Sequence, residues 1–249
     1  NKTQNLIVKA VKINDGRLRY KIDRNNIKKI IGLKFKKISR RSKYLLFFFN
    51  KDIVMLVHLG MTGKFFFINH KKKKYKTSFY YDINEDKDKK HDRIVFDLSN
   101  NQKLIYNDIR KFGFIKFIKG INLNQNIHLK NLGPEPLSAK FNIGYFKNYI
   151  INKERTIKNT LMDQRFVSWL GNIYVNEILF FSGVRPDKKI KNLKNFEIQK
   201  IIKFSKKIIS KAIVLGGSSI KDFSSSSGKK GSFQQHFNVY GKKGENCSK

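Results

Sequence analysis

Met61 stands in a Gly-Met-Thr-Gly turn (60–63) between two short apolar runs, and Arg110 and Phe112 lie two residues apart, on one side of the chain if that segment is extended. A wedge of apolar and cationic side chains is the usual device for filling the gap left when a base is drawn out of a duplex, an extrusion that costs unstacking energy. Core packing is the competing reading of Met61 and Phe112. Gly171-Asn172 precedes an amphipathic segment. A helix N-terminus presents N–H groups to anions, and Asn172 there is either a cap or a donor to a phosphate. Lys43, in Arg-Arg-Ser-Lys-Tyr (40–44), begins a strand. A lysine beside a developing oxyanion supplies charge or a proton; a solvated lysine is the plainer reading. Cys247 is the single cysteine, and one thiolate makes no structural zinc site.

The elements that must position these residues follow from periodicity. Leu6–Val8, Lys34–Ser39, Tyr44–Phe49, Ile53–Leu59, Lys64–Ile68, Arg93–Leu98 and Lys103–Tyr106 are short β-branched or aromatic runs separated by turn residues, the pattern of hairpins in a sandwich or barrel. Residues 71–90, rich in Lys and Asp, read as a solvated loop. Gly133-Pro-Glu-Pro136 stops any helix and marks a linker over 119–137. Beyond it the period becomes helical, with segments at 142–152, 157–164 and 173–182. A stripe of Ile198, Ile201, Ile202, Ser205, Ile208, Ile209, Ala212 and Ile213 ends at Gly216-Gly217. Ser224–Gly231 reads as a flexible basic loop. The expected fold class is α+β in two domains, a β-sandwich and then a helical domain.

Charge narrows the partner. Among 249 residues, 54 Lys+Arg face 18 Asp+Glu, a net charge of +36. Codon drift toward A and T accounts for part of the lysine and asparagine but not for the sign. A chain so unbalanced repels itself unless a polyanion is present, and nucleic acid is favoured over an anionic membrane because no helix carries one dominant basic face. No stretch of about 18 uncharged apolar residues spans a membrane, and a single cysteine excludes a disulfide-stapled scaffold. No signal peptide is visible, and a reducing, cytoplasmic location is expected.

His58-Leu-Gly-Met-Thr-Gly63, Asp108-Ile-Arg-Lys-Phe-Gly113, Leu132-Gly-Pro-Glu-Pro-Leu137, Gly171-Asn-Ile-Tyr174 and Val239-Tyr-Gly-Lys-Lys-Gly-Glu-Asn-Cys247 occur in this order. Together they resemble the bacterial formamidopyrimidine-DNA glycosylases, bifunctional enzymes that remove oxidised purines and nick the strand. The resemblance implies a β-sandwich catalytic domain over 1–118 and a helix–two-turns–helix DNA-binding domain over 138–240. It also implies a lesion loop at about 217–232 and the start of a truncated zinc finger over 241–249. It implies that Met61, Arg110 and Phe112 fill the gap, that Asn172 grips the backbone beside the lesion, and that Lys43 donates a proton in β-elimination. It further implies that His91 and Lys153 contact DNA, that Lys221 lies near the damaged base, and that Cys247 is the first of four ligands to a structural zinc ion.

The family begins with a Pro-Glu pair whose proline amine forms a Schiff base with the sugar; Asn1 aligns inside that start. Residues 1–249 are therefore expected to be a piece of an active enzyme, one that binds DNA weakly and excises nothing by itself. The expected partner is double-stranded DNA with oxidised bases, with no membrane, and the protein is expected to be a monomer. The alternatives are a pyrimidine-directed, endonuclease VIII-like glycosylase and a catalytically dead DNA-binding homologue. Trp169 departs from the family, where small residues are usual.

Overall fold

The computed structural model describes residues 3–69, 74–76, 89–216 and 233–247, and the chain divides after Lys130 into two compact units. Lys221 and the loop expected at 217–232 lie outside the described residues, as do 71–73 and 77–88 of the stretch read as a solvated loop.

The first unit holds β1 (Val8–Ile13), the short helix α1 (Arg24–Lys28), β2 (Phe35–Arg41), β3 (Tyr44–Phe49), β4 (Ile53–His58), β5 (Lys64–Ile68), β6 (Lys74–Lys76), β7 (Asp92–Leu98), β8 (Gln102–Asn107) and β9 (Phe114–Lys119). They form two antiparallel sheets, ordered β1-β7-β8-β5-β6 and β2-β3-β4-β9. One core takes Val8, Phe65, Ile94 and Phe96 from the first sheet and Phe35, Phe47, Met55 and Ile115 from the second, so the sheets pack face to face as a sandwich. β3 and β4 are almost continuously apolar because their sheet is covered on both faces. Leu46, Val54, Leu56 and Phe114 point away from the shared core and pack under Leu123 and Leu129.

Three features depart from the sequence expectation. The first strand runs Val8–Ile13 rather than 6–8, because an edge strand can carry lysines outward without losing its ladder. β6 pairs with β5 inside the stretch read as loop. β9, whose Phe-Ile-Lys repeat lacks clean two-residue alternation, pairs with β4 and closes the second sheet.

The second unit holds α2 (Ile143–Ile150), α3 (Ile157–Met162), α4 (Asn172–Ser182) and α5 (Asn195–Val214). Side chains of Asn142 and Thr156 cap α2 and α3 by accepting backbone N–H groups three residues on. α5 buries Ile198, Ile201, Ser205, Ile208, Ile209 and Ala212, while Ile213, at the edge of the expected stripe, is exposed. The two-domain α+β expectation holds. Among the described residues, no helix is long and apolar enough to cross a membrane.

Candidate functional site

Two neighbouring loops of the sandwich cross from one sheet to the other. The first, 59–63, joins β4 to β5, and the second, 108–113, joins β8 to β9. Their ends are held in register, His58 opposite Phe114 and Lys64 opposite Asn107, so the loops run side by side. Gly60, at φ +64°, makes this possible: a Cβ there would lie 2.6 Å from the carbonyl carbon of Phe112.

Met61 and Phe112 are 57% and 46% exposed, so neither is a core residue. The Arg110 guanidinium lies 4.5 Å over the Phe112 ring and donates from Nη1 to Met61 Sδ at 3.2 Å. Arg110 and Phe112 do not meet through extended alternation. Lys111 takes φ 59° and bends the chain between them, and its Nζ is held 2.7 Å from the Asp15 carboxylate. Asp15 also accepts from Arg17, and these partners keep its carboxyl well below the usual range.

Beneath the exposed side chains lies a buried polar layer. The Asp108 carboxylate, fully buried, accepts from Thr62 Oγ1 at 2.5 Å, from the Gly113 N–H at 2.9 Å and from the Tyr106 hydroxyl at 3.2 Å. Thr62 Oγ1 in turn accepts the Arg110 N–H at 3.0 Å. Burial, then the charge of Asp108, raises the Tyr106 phenol far above the ordinary tyrosine range. Arg93, also buried, donates to the Asp108 carbonyl at 2.8 Å. Its Nη2 stands 3.3 Å from His91 Nδ1.

Lys43 occupies the two-residue turn between Arg41 and Tyr44, directly before β3, with Ser42 at φ 54°. It reaches solvent, yet the protein mass around its ammonium lowers its pKa. On the adjoining strand His58 stacks on Phe114 (centroids 5.5 Å) and accepts the Gly60 N–H on Nδ1 at 3.0 Å. Desolvation, with Lys43 and Arg19 nearby, pushes His58 down to about 4.

In the second unit, Asn172 is the exposed first residue of α4 and not its cap. Gly171 holds the cap position and supplies no side chain. Asn172 Oδ1 accepts from Asn176 at 3.3 Å, which leaves its amide N–H2 as the donor. The preceding turn is braced by Gln164, whose side chain accepts the Trp169 N–H at 2.7 Å and donates to the Leu170 carbonyl at 2.7 Å. Trp169 takes φ 76°, where glycine is favoured, and its ring stacks on Tyr174. Lys153 folds back over Tyr149, 3.7 Å from the ring centroid, and donates to the Tyr149 carbonyl. Cys247 is exposed, and among the described residues no three His, Cys, Asp or Glu side chains gather as a metal site. Cys247 supplies one of the four thiolates that the resemblance implies.

The structure thus brings Met61, Arg110 and Phe112 together, with His91 tied to the same loops through Arg93. Lys43 lies near His58, Lys153 and Asn172 belong to the other unit, and Lys221 is outside the described residues. Sequence reasoning passed over Thr62 and Asp108, although both stand inside motifs it quoted. It also missed Glu177, a buried α4 carboxylate that accepts the backbone N–H groups of Asn238, Val239 and Tyr240 at 2.9–3.0 Å. An acidic residue within an otherwise apolar helix was the available signal.

Residues 1–115 match the formamidopyrimidine-DNA glycosylase N-terminal domain, and residues 132–224 match the H2TH domain of the same enzymes. The chain is 38% identical over 242 residues to the formamidopyrimidine-DNA glycosylase of Rickettsia felis, covering 97% of this chain and 82% of the relative. It is 39% identical to that of Rickettsia bellii, covering 97% and 83%. Among solved structures it is similar to a Lactococcus lactis Fpg variant in complex with Fapy-dG containing DNA. The TM-score is 0.84 at 30% identity, covering 100% of this chain and 86% of that one. It is also similar to Lactococcus lactis Fpg with abasic-site DNA, with a TM-score of 0.82 at 30% identity and coverage of 100% and 85%.

Proposed function

The chain belongs to the formamidopyrimidine-DNA glycosylase family, and we propose that it binds double-stranded DNA, removes oxidised purines and cleaves the resulting abasic strand by β-elimination through a Schiff base. The observation that carries the reading is the Met61–Arg110–Phe112 cluster. Two exposed apolar side chains bracket a guanidinium on a rigid footing, a shape suited to fill a base-sized gap and to meet the orphaned partner base. In this reading His91, Lys153 and Asn172 meet phosphates, and Lys221 lies near the extruded base. Lys43, whose lowered pKa makes its ammonium a readier acid than an ordinary lysine, returns the proton during strand cleavage. The attacking amine in this chemistry is the family's amino-terminal proline. The protein acts as a monomer, in the cytoplasm with the DNA it repairs.

Incubation of the protein as its gene encodes it with duplexes carrying 8-oxoguanine or an oxidised pyrimidine, with and without borohydride, tests the proposal. Release of 8-oxoguanine, a nick and a borohydride-trapped crosslink are expected. Preferential release of the oxidised pyrimidine would favour the endonuclease VIII-like alternative. Binding with no excision of either base would favour a non-catalytic DNA-binding protein.

A further inference from the structure

We infer that Thr62 and Asp108 are positioning residues for the duplex-opening cluster, an inference that rests on the role proposed for Met61, Arg110 and Phe112. Thr62 is 3% exposed and Asp108 is fully buried. The Thr62 hydroxyl spends both its capacities across the gap between the two crossover loops: it donates to Asp108 Oδ1 and accepts the Arg110 N–H. Thr62 directly follows Met61, and Arg110 carries the guanidinium that sits on Phe112 and bonds Met61. One hydroxyl therefore fixes the spacing of the tips. The other Asp108 oxygen takes the Gly113 N–H, directly after Phe112, and the Tyr106 hydroxyl at the end of β8. Gly113 cannot be larger, because a Cβ there would run into the Tyr106 hydroxyl and stand 2.8 Å from the His58 carbonyl oxygen.

The arrangement is adapted to orient rather than to touch DNA. Neither side chain reaches solvent, and neither belongs to the apolar core of the sandwich. A loose tip still presents the same atoms but loses the fixed geometry that insertion requires, as any site does whose supporting residues are slack. An asparagine at 108 would bring one acceptor and one donor to a place where three donors converge. A valine at 62 would keep the shape and break both hydrogen bonds.

The test uses a duplex with 2-aminopurine beside an 8-oxoguanine, read at saturating protein, where the fluorescence rise reports unstacking and does not depend on the fraction of protein that is folded. The wild type should give a large rise and Thr62→Ser should keep it. Thr62→Val and Asp108→Asn should lose most of it, with preference for damaged over undamaged duplex falling roughly tenfold, equivalent to about 1.4 kcal/mol. Phe112→Ala serves as the control. A rise lost in Phe112→Ala but intact in Thr62→Val overturns the positioning role alone, and a rise intact in both overturns the wedge reading beneath it. Should Thr62→Val fail to fold, Thr62→Ala, which leaves space in place of the methyl, carries the same comparison. Equal loss in Thr62→Ser and Thr62→Val also counts against the hydroxyl.

Discussion

Thr62, Tyr106 and the Gly113 N–H converge on one buried carboxylate beneath Met61, Arg110 and Phe112. The turn that starts α4 has no side-chain cap at Gly171, and the Gln164 side chain braces it by bonding the Trp169 N–H and the Leu170 carbonyl. The first region presents specific side chains on a footing of specific side chains. The second presents a helix end, whose N–H groups belong to the backbone. Extruding a base demands particular shapes at particular places, whereas holding a phosphate demands only donors and charge, so the β-rich unit should tolerate substitution at its site far less than the helical unit does.

The largest expected effect is on the footing. Asp108→Ala removes the acceptor of three buried donors and should destabilise the first unit by about 3 kcal/mol. Asn172→Ala, at an exposed position, should cost about 0.5 kcal/mol or less; urea unfolding of the two variants makes the comparison. Next in size, Phe112→Ala should lower preference for 8-oxoguanine duplex over undamaged duplex about tenfold while leaving the salt dependence unchanged, as competition binding would record. Lys153→Ala should weaken binding to both duplexes alike and reduce the slope of log K against log salt by about one.

The smallest effect concerns pH. His58 stays neutral in the fold down to about 4, while an unfolded histidine titrates near 6.5, so on acidification the unfolded chain takes up its proton first. The stability that His58 contributes is full above 6.5 and is lost as pH falls toward 4. His128, lowered mainly by burial, adds to the loss in the same direction. His58→Gln should flatten that part of the pH–stability curve, measured by thermal unfolding at a series of pH values. A slope as steep as the wild type's would mean that His58 is not the group responsible.

Much of this comparison was legible in the residues. The change from strand to helical period located the two units, and the glycines at 60 and 63 announced a tight turn around Met61. The footing was not legible, because Thr62 and Asp108 are polar and a polar residue in a loop ordinarily faces water; only the convergence of two crossovers turns them inward. The side-by-side placement of Arg110 and Phe112 was anticipated for the wrong reason. Lys111 bends the chain, at a positive φ that no local pattern signals and that the distant Asp15 helps to hold. Gly171, rather than Asn172, proved to be the cap of α4, a distinction of one residue that propensity does not resolve.

The division of labour between the two units is tested most directly by a double-mutant cycle of Phe112→Ala and Lys153→Ala, with binding to damaged and undamaged duplexes followed across a salt series. Independent roles predict that the loss of discrimination from Phe112→Ala and the change of salt slope from Lys153→Ala each persist unaltered in the double variant, with free energies adding to within about 0.5 kcal/mol. A slope change from Phe112→Ala, a discrimination change from Lys153→Ala, or coupling well beyond that margin would contradict the account.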